Sequence, residues 1–254
     1  MIPNDLHVHS VKSPCGMHTV LEIVEIAARK GVRSVNVSDH GEASTRSRLN
    51  FSVLADRNRF PMECQSIHFP GVKVNVLAGI EGNILDDGST DIPMFMVPKL
   101  DLVSAGFHSS AEALKEGRNP IANVNVLAAF LETVPIDILV HPCIRRFPLE
   151  RGLVLDLAAR HGFALEVNNT GLRVGKTDVA ALRNMITEAV RLRIPLVANS
   201  DGHTYFEIGE DDKIVNLVGE MGLPTSIFLN YDDAALKEFL GQRRSRRERW
   251  DKRA

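Results

Sequence analysis

Short apolar runs and helix-periodic stretches alternate along nearly the whole chain. Residues 6–9 make the first apolar run. Residues 20–30 follow it, with Val20, Ile23, Val24, Ala27 and Ala28 spaced as on one face of a helix. Gly31 is placed to end that helix at its C′ position. The same order then recurs, with strands expected at 32–38, 72–80, 100–105, 136–140, 163–167 and 195–198. Helices are expected at 120–132, 148–161, 177–192, 208–221 and 232–240. Residues 41–69 break the rhythm with a long polar, arginine-containing stretch that has room for one short helix at 51–58. Connections of that length are uncommon and tend to carry function, so this one is expected to serve as a lid or part of a substrate pocket. Alternating strands and helices predict a parallel sheet, and six or seven such units favour a closed barrel over an open sheet.

Composition narrows this further. A chain of 254 residues, 44% hydrophobic and 24% charged, is an ordinary globular protein, and a barrel of about 250 residues usually forms one domain. No glycine- or proline-rich cluster marks a linker and no internal repeat is visible, so a single domain is expected over residues 1–242. The tail, 243–254, carries a run of arginines and lysines around Trp250 and reads as a solvated, flexible terminus. The net charge of −2 gives no pull toward nucleic acid. No apolar run approaches the ~20 residues of a membrane span, and the N-terminus lacks the basic-then-apolar order of a signal peptide. Cys15, Cys64 and Cys143 are odd in number and far apart, which argues against a disulfide framework and for a reducing cytoplasm.

Candidate chemistry begins at Asp5-Leu6-His7-Val8-His9. Strand alternation would place Asp5, His7 and His9 on one face and Leu6 and Val8 on the other. The remaining histidines give that pair its meaning. His40, Glu81, His108, His141 and Asp201 with His203 each fall at or just after the C-terminal end of a predicted strand. In a parallel barrel all those ends open on one face, where active sites are built. Imidazole and carboxylate with little sulfur suit zinc, manganese or iron. Other residues read as structural: His161 precedes Gly162 at a helix end, where it would meet the dipole and the last carbonyls. Cys64 and Cys143 read as packing residues. Glu166 and Asn168, two apart on one strand, would hydrogen-bond the site.

These segments resemble a known family. Asp5-Leu6-His7-Val8-His9-Ser10 is similar to the opening motif of the polymerase and histidinol phosphatase (PHP) family of metal-dependent phosphoesterases. Ser38-Asp39-His40-Gly41, Gly79-Ile80-Glu81-Gly82-Asn83, Ala105-Gly106-Phe107-His108, Val140-His141-Pro142, Leu165-Glu166-Val167-Asn168-Asn169 and Ser200-Asp201-Gly202-His203 follow in the family's order. The resemblance implies a distorted (β/α)7 barrel, TIM-like, holding two or three divalent metal ions. By that pattern His7, His9, Glu81 and Asp201 would hold one ion, and Glu81 would bridge to a second held by His108 and His141. A third would use His40, His203 and a ligand from the segment after His9. Family members often place histidine there; this chain has Cys15, with His18 three residues on, and Cys15 is the preferred ligand because a thiolate binds zinc.

The implied reaction is hydrolysis of a small phosphomonoester, of histidinol phosphate, nucleotide or sugar phosphate type, by a metal-bridged hydroxide. Arg145 and Arg146, close after His141, are candidate phosphate contacts, with Arg145 assigned a catalytic role as well. Arg173 and Lys176 are weaker candidates, and His68 in the long loop is a candidate substrate contact. Asp39 or Asp201 would protonate the leaving oxygen or orient a histidine. Two other readings compete: an amidohydrolase-like hydrolysis of a carbon–nitrogen bond, and a non-catalytic metal- or nucleotide-binding module. The first usually relies on a bridging lysine, where this chain has Glu81; the second would be expected to have lost ligands.

Overall fold

The computed structural model describes residues 1–41, 43, 73–109 and 117–251. Most of the long 41–69 stretch, with Cys64 and His68, therefore lies outside the described residues.

Seven parallel strands form one sheet in sequential order: β1 (Asn4–Val8), β2 (Ser34–Val37), β3 (Asn75–Asn83), β4 (Leu102–Gly106), β5 (Ile138–Leu139), β6 (Ala164–Asn168) and β7 (Leu196–Asn199). The sheet curls until its edges nearly meet, which is the distorted (β/α)7 barrel expected. The closure is partial. At the C-terminal end of the seam a single bridge joins Val8 to Gly202, with His9 N donating to Gly202 O (2.9 Å). At the other end the Asn230 side chain is wedged between the edges. Its amide nitrogen donates to Asn4 O (2.8 Å) and Ala198 O (2.6 Å), and its oxygen accepts from Ala198 N (3.0 Å). A buried side-chain amide thus replaces the missing backbone ladder.

The helices are α1 (Val20–Lys30), α2 (Pro120–Thr133), α3 (Arg151–His161), the short α4 (Asn169–Arg173), α5 (Val179–Leu192), α6 (Asp212–Glu220) and α7 (Asp233–Asp251). Their ends follow local chemistry. Thr19 and Glu22 form a capping box at α1, and Gly31 closes it in the left-handed conformation (φ 76°). Helix α3 starts at Arg151 and not at 148, because the Glu150 side chain accepts from Leu153 N and caps it. Apolar clusters fill the space between sheet and helices, and a separate one, with Leu77, Leu102, Ile138, Ala164 and Val197, fills the barrel interior.

Two expectations are corrected. The pairing register of β1 slips between Asp5 and Val8. Leu6 therefore packs in the interior cluster, Val8 packs outward with Val24, Val35 and Val37, and strict alternation through Leu6 fails. An irregularity of this kind re-aims side chains next to a site. The basic tail also differs from expectation: residues 243–251 continue α7 and do not form a flexible terminus. Leu236 and Phe239 cap the interior cluster from below. Arg243 and Arg247 are buried on Asp137, and Arg244 pairs with Asp101 (2.7 Å). Arg243 also caps the carbonyls of His161 and Gly162, each at 2.8 Å, a role expected of His161.

Candidate metal centre

The ligand candidates converge at the C-terminal mouth of the barrel, around a cavity of about 460 Å³ lined by Cys15, His40, Glu81, His108, His141, Asp201 and His203 among others. Glu81 is central. Strand β3 runs past it to Asn83, so the carboxylate projects from inside a strand and is almost fully buried. Its two oxygens face different neighbours. Oε2 lies 3.4 Å from His7 Nε2 and 3.3 Å from His9 Nε2, while Oε1 lies 2.8 Å from His108 Nε2 and 3.0 Å from His141 Nε2.

The first group has the dimensions of a coordination shell. His7 Nε2 and His9 Nε2 are 3.1 Å apart, and Asp201 Oδ1 lies 3.5 and 3.3 Å from them. A tetrahedral ion with bonds of ~2.0–2.1 Å separates its ligand atoms by roughly 3.3–3.4 Å. In the second group His108 Nε2 and His141 Nε2 are 3.1 Å apart across Glu81 Oε1. A third group joins Cys15, His40 and His203 with His9, their ligand atoms all within 4.8 Å of one another. His18 is turned elsewhere: its Nε2 accepts from Tyr205 N (2.9 Å). The tight loop that delivers Cys15 depends on Gly16, where a Cβ would sit 2.2 Å from Ser10 O.

Several of the unpaired buried polar atoms among the described residues gather at the same place. His9 Nδ1, His40 Nδ1 and Glu81 Oε2 are buried without a hydrogen-bond partner, although His40 Nδ1 lies only 2.7 Å from Glu81 Oε2. Buried polar atoms are nearly always paired, so such a concentration fits a shell built for a cation. The donor set of imidazole, carboxylate and thiolate suits divalent metal ions.

Surrounding groups fix the imidazoles. His7 Nδ1 donates to Glu166 Oε1 (2.8 Å), His108 Nδ1 to Asn83 Oδ1 (2.8 Å) and His203 Nδ1 to Asp201 O (2.8 Å), which fixes the orientation of each ring. Glu166 also accepts from Asn199, Asn168 and the His141 backbone N–H (2.7 Å). His141 and Asp201 both adopt left-handed backbone, φ 33° and 53°. Non-glycine residues rarely do so, and the strain collects where side chains must be aimed. Gly106 makes room beside them, since a Cβ there would lie 2.7 Å from His141 Cε1.

Electrostatics follow from burial and crowding. Burial alone would raise Glu81, but His108, His40 and His7 hold it well below the usual carboxylate range. Asp201 is likewise held low against burial, chiefly by His7 and His9. Burial works against protonation of His40 and His203, yet Glu81 and Cys15 lift His40 to about 10, and Cys15 and Asp201 lift His203 to about 9. Burial would raise the Cys15 thiol, but hydrogen bonds from His203 and His40 bring it down to about 6. Burial lowers His108 to about 4.

Arg145, Arg146 and Lys176 line the same cavity. Arg173 does not; it pairs with Asp212 (3.5 Å). Asp39 is not brought to the cavity either. Both its oxygens accept from Ser10, at 2.7 Å each, so it holds the turn after β1. Asp201 stays ionised, which suits a ligand and not a general acid. Sequence reasoning missed Asp91 and Asn199: Asp91 accepts from Asn83 and from the Ala43 backbone, and so fixes the partner of His108. Neither stands out by spacing, because an isolated Asn or Asp is usually a turn residue.

A nearly closed run of parallel strands with candidate ligands gathered at its mouth is an arrangement suited to a metal-dependent hydrolase. A protein of Shewanella oneidensis described as a probable phosphatase is 31% identical over 94% of this chain and 91% of its own length. The probable phosphatase YcdX of Escherichia coli O81 is 30% identical, covering 96% of both chains. A histidinol phosphate phosphatase from Lactococcus lactis, solved with zinc, L-histidinol and phosphate, superposes with a TM-score of 0.58 at 16% identity, over 88% of this chain and 95% of its own. No family model matches the chain. The chain belongs to the PHP family of metal-dependent phosphoesterases and is a phosphatase of that family. No helix among the described residues is long and apolar enough to cross a membrane.

Proposed function

We propose that the chain hydrolyses small phosphomonoesters at a centre of two or three divalent metal ions, zinc foremost, with manganese and iron as alternatives. The observation that carries this reading is the spacing of His7 Nε2, His9 Nε2, Glu81 Oε2 and Asp201 Oδ1. Five of their six mutual distances fall between 3.1 and 3.5 Å, the size of a tetrahedral shell. In this reading those four residues would hold one ion, and Glu81 with His108 and His141 would hold a second. Cys15, His40 and His203 hold a third. The zinc and phosphate held by the Lactococcus lactis enzyme support the choice of metal and of substrate class.

When bound, the metals acidify water and neutralise charge on the phosphoryl group. The chain supplies orientation. Glu166 fixes the ring of His7 and the backbone of His141, and Asn168 holds Asp201 Oδ2 (3.1 Å) so that Oδ1 faces the histidines. Arg145 and Arg146 contact the phosphorylated substrate from the rim.

The test is metal content by elemental mass spectrometry, on protein prepared without chelators or a histidine tag, together with phosphate release from p-nitrophenyl phosphate and histidinol phosphate. Two or three equivalents and activity that chelation abolishes and metal restores are expected. A chain that takes up no zinc, manganese or iron would end the proposal.

A further inference from the structure

Arg145, Arg146 and Lys176 line the cavity beside the candidate ligands. The loop after His141 pairs with the loop before α5 as a short antiparallel clip: Ile144 bridges Thr177, Arg145 N donates to Lys176 O (2.9 Å), and Asp178 N donates to Cys143 O (2.8 Å). In that register Arg145 stands opposite Lys176. Like charges directly across a strand pair repel and are destabilising. Both side chains are exposed to the cavity, and neither has a carboxylate partner among the described residues. Thr170, whose hydroxyl is buried without a hydrogen-bond partner, lines the same cavity.

We infer that Arg145 and Lys176 form an anion subsite beside the metal centre, and that the preferred substrate carries a second anionic group, a phosphate or a carboxylate, besides the phosphate it loses. The inference rests on the phosphatase reading above and specifies its substrate class. The clip fixes both backbones before substrate arrives, so little ordering is needed on binding. An anion between the two cations relieves their repulsion and gains charge-assisted hydrogen bonds, bidentate ones from the guanidinium. A substrate with only the scissile phosphate leaves the pair facing each other, and selectivity follows from that difference.

The experiment compares glycerol 3-phosphate, 3-phosphoglycerate and 2,3-bisphosphoglycerate as substrates of the metal-loaded protein. The first has no second anion; the others add a carboxylate, or a carboxylate and a phosphate. At least one of the latter two is expected to exceed glycerol 3-phosphate in kcat/KM by ~10-fold or more, the usual worth of a hydrogen bond to a charged group. Which of them does so identifies the anion. Lys176→Ala should collapse that ratio toward one, and Lys176→Arg should restore much of it. Equal kcat/KM for all three overturns the subsite and leaves the phosphatase reading standing. If none is hydrolysed, nor p-nitrophenyl phosphate, the phosphatase reading fails. The subsite is then judged by calorimetric titration with methylenediphosphonate and methylphosphonate: tighter binding of the former that Lys176→Ala removes supports it, and equal affinities overturn it.

Discussion

The two ends of the barrel both bury carboxylates, and they treat them in opposite ways. At the N-terminal end Asp137 receives Arg243, Arg247 and the Val103 backbone N–H, and Arg247 also spans the carbonyls of Leu100 (2.9 Å) and Asp101 (3.0 Å). Each of these charged side chains has an oppositely charged partner within the chain, although Arg247 Nε is buried without a hydrogen bond among the described residues. At the C-terminal mouth Glu81 faces five imidazoles, Oε2 lacks a hydrogen bond, and two nitrogens nearby lack one as well. One end is electrostatically finished by the polypeptide. The other gathers buried donors and acceptors that the described residues leave unpaired, as a site for a cation would. Burial of charge alone therefore does not mark a site; incomplete pairing does.

Substitutions at the two ends should separate cleanly. Glu81→Ala removes the side chain that joins the first two ligand groups, and phosphatase activity should fall by ~10³-fold or more, the scale of losing a principal electrostatic contact. Elemental analysis should show at least one equivalent of metal lost. Arg247→Ala should instead lower folding stability by about 3 kcal/mol, since it strands part of a buried carboxylate. Urea unfolding would show it, while kcat at 25 °C and metal content stay at the wild-type level. A fall in metal content with unchanged stability would erase the distinction between the ends. Glu166→Gln keeps the shape but weakens the grip on His7, and metal affinity should drop by roughly 10–100-fold in competition with a chelator.

The Cys15 group gives a smaller, sharper contrast. Cys15→Ala should cost one metal equivalent and Cys15→His should keep it, as counted by mass spectrometry. The proton balance is also fixed in sign. At pH 7 His40 (about 10) and His203 (about 9) carry protons that metal must displace, whereas Cys15 (about 6) is already largely thiolate. Filling this group should release about two protons per ion, so affinity rises with pH toward 9. Titration in buffers of different ionisation enthalpy measures that number, and release near zero would contradict the assigned charges.

Much of the mouth is legible in the sequence because each candidate ligand sits on its own short motif at a strand end, and the barrel does the gathering. His7, His9, His40, Glu81, His108, His141, Asp201 and His203 are found one strand at a time. The floor is not legible that way. Arg243 and Asp137 are 106 residues apart, and a run of arginines near a terminus usually lies in water, so nothing local announces their burial. The slip in β1 is equally hidden, because Leu6 and Val8 are both apolar and either would suit either face. Asp39 misleads for the converse reason: a carboxylate next to a ligand histidine invites a chemical role, and only the two Ser10 hydrogen bonds reveal a structural one.

The Asn230 wedge has a bearing on how the molecule is made. The first strand leaves the ribosome long before the last, yet its edge is sealed by a side chain encoded 226 residues after Asn4. Until that amide arrives, the early strands wait as an open sheet with an unpaired rim, a surface prone to wrong pairings. His7 and His9 meet Asp201 only when the rim closes. A nascent chain therefore cannot bring these three side chains together before Asp201 has been made and the rim has closed.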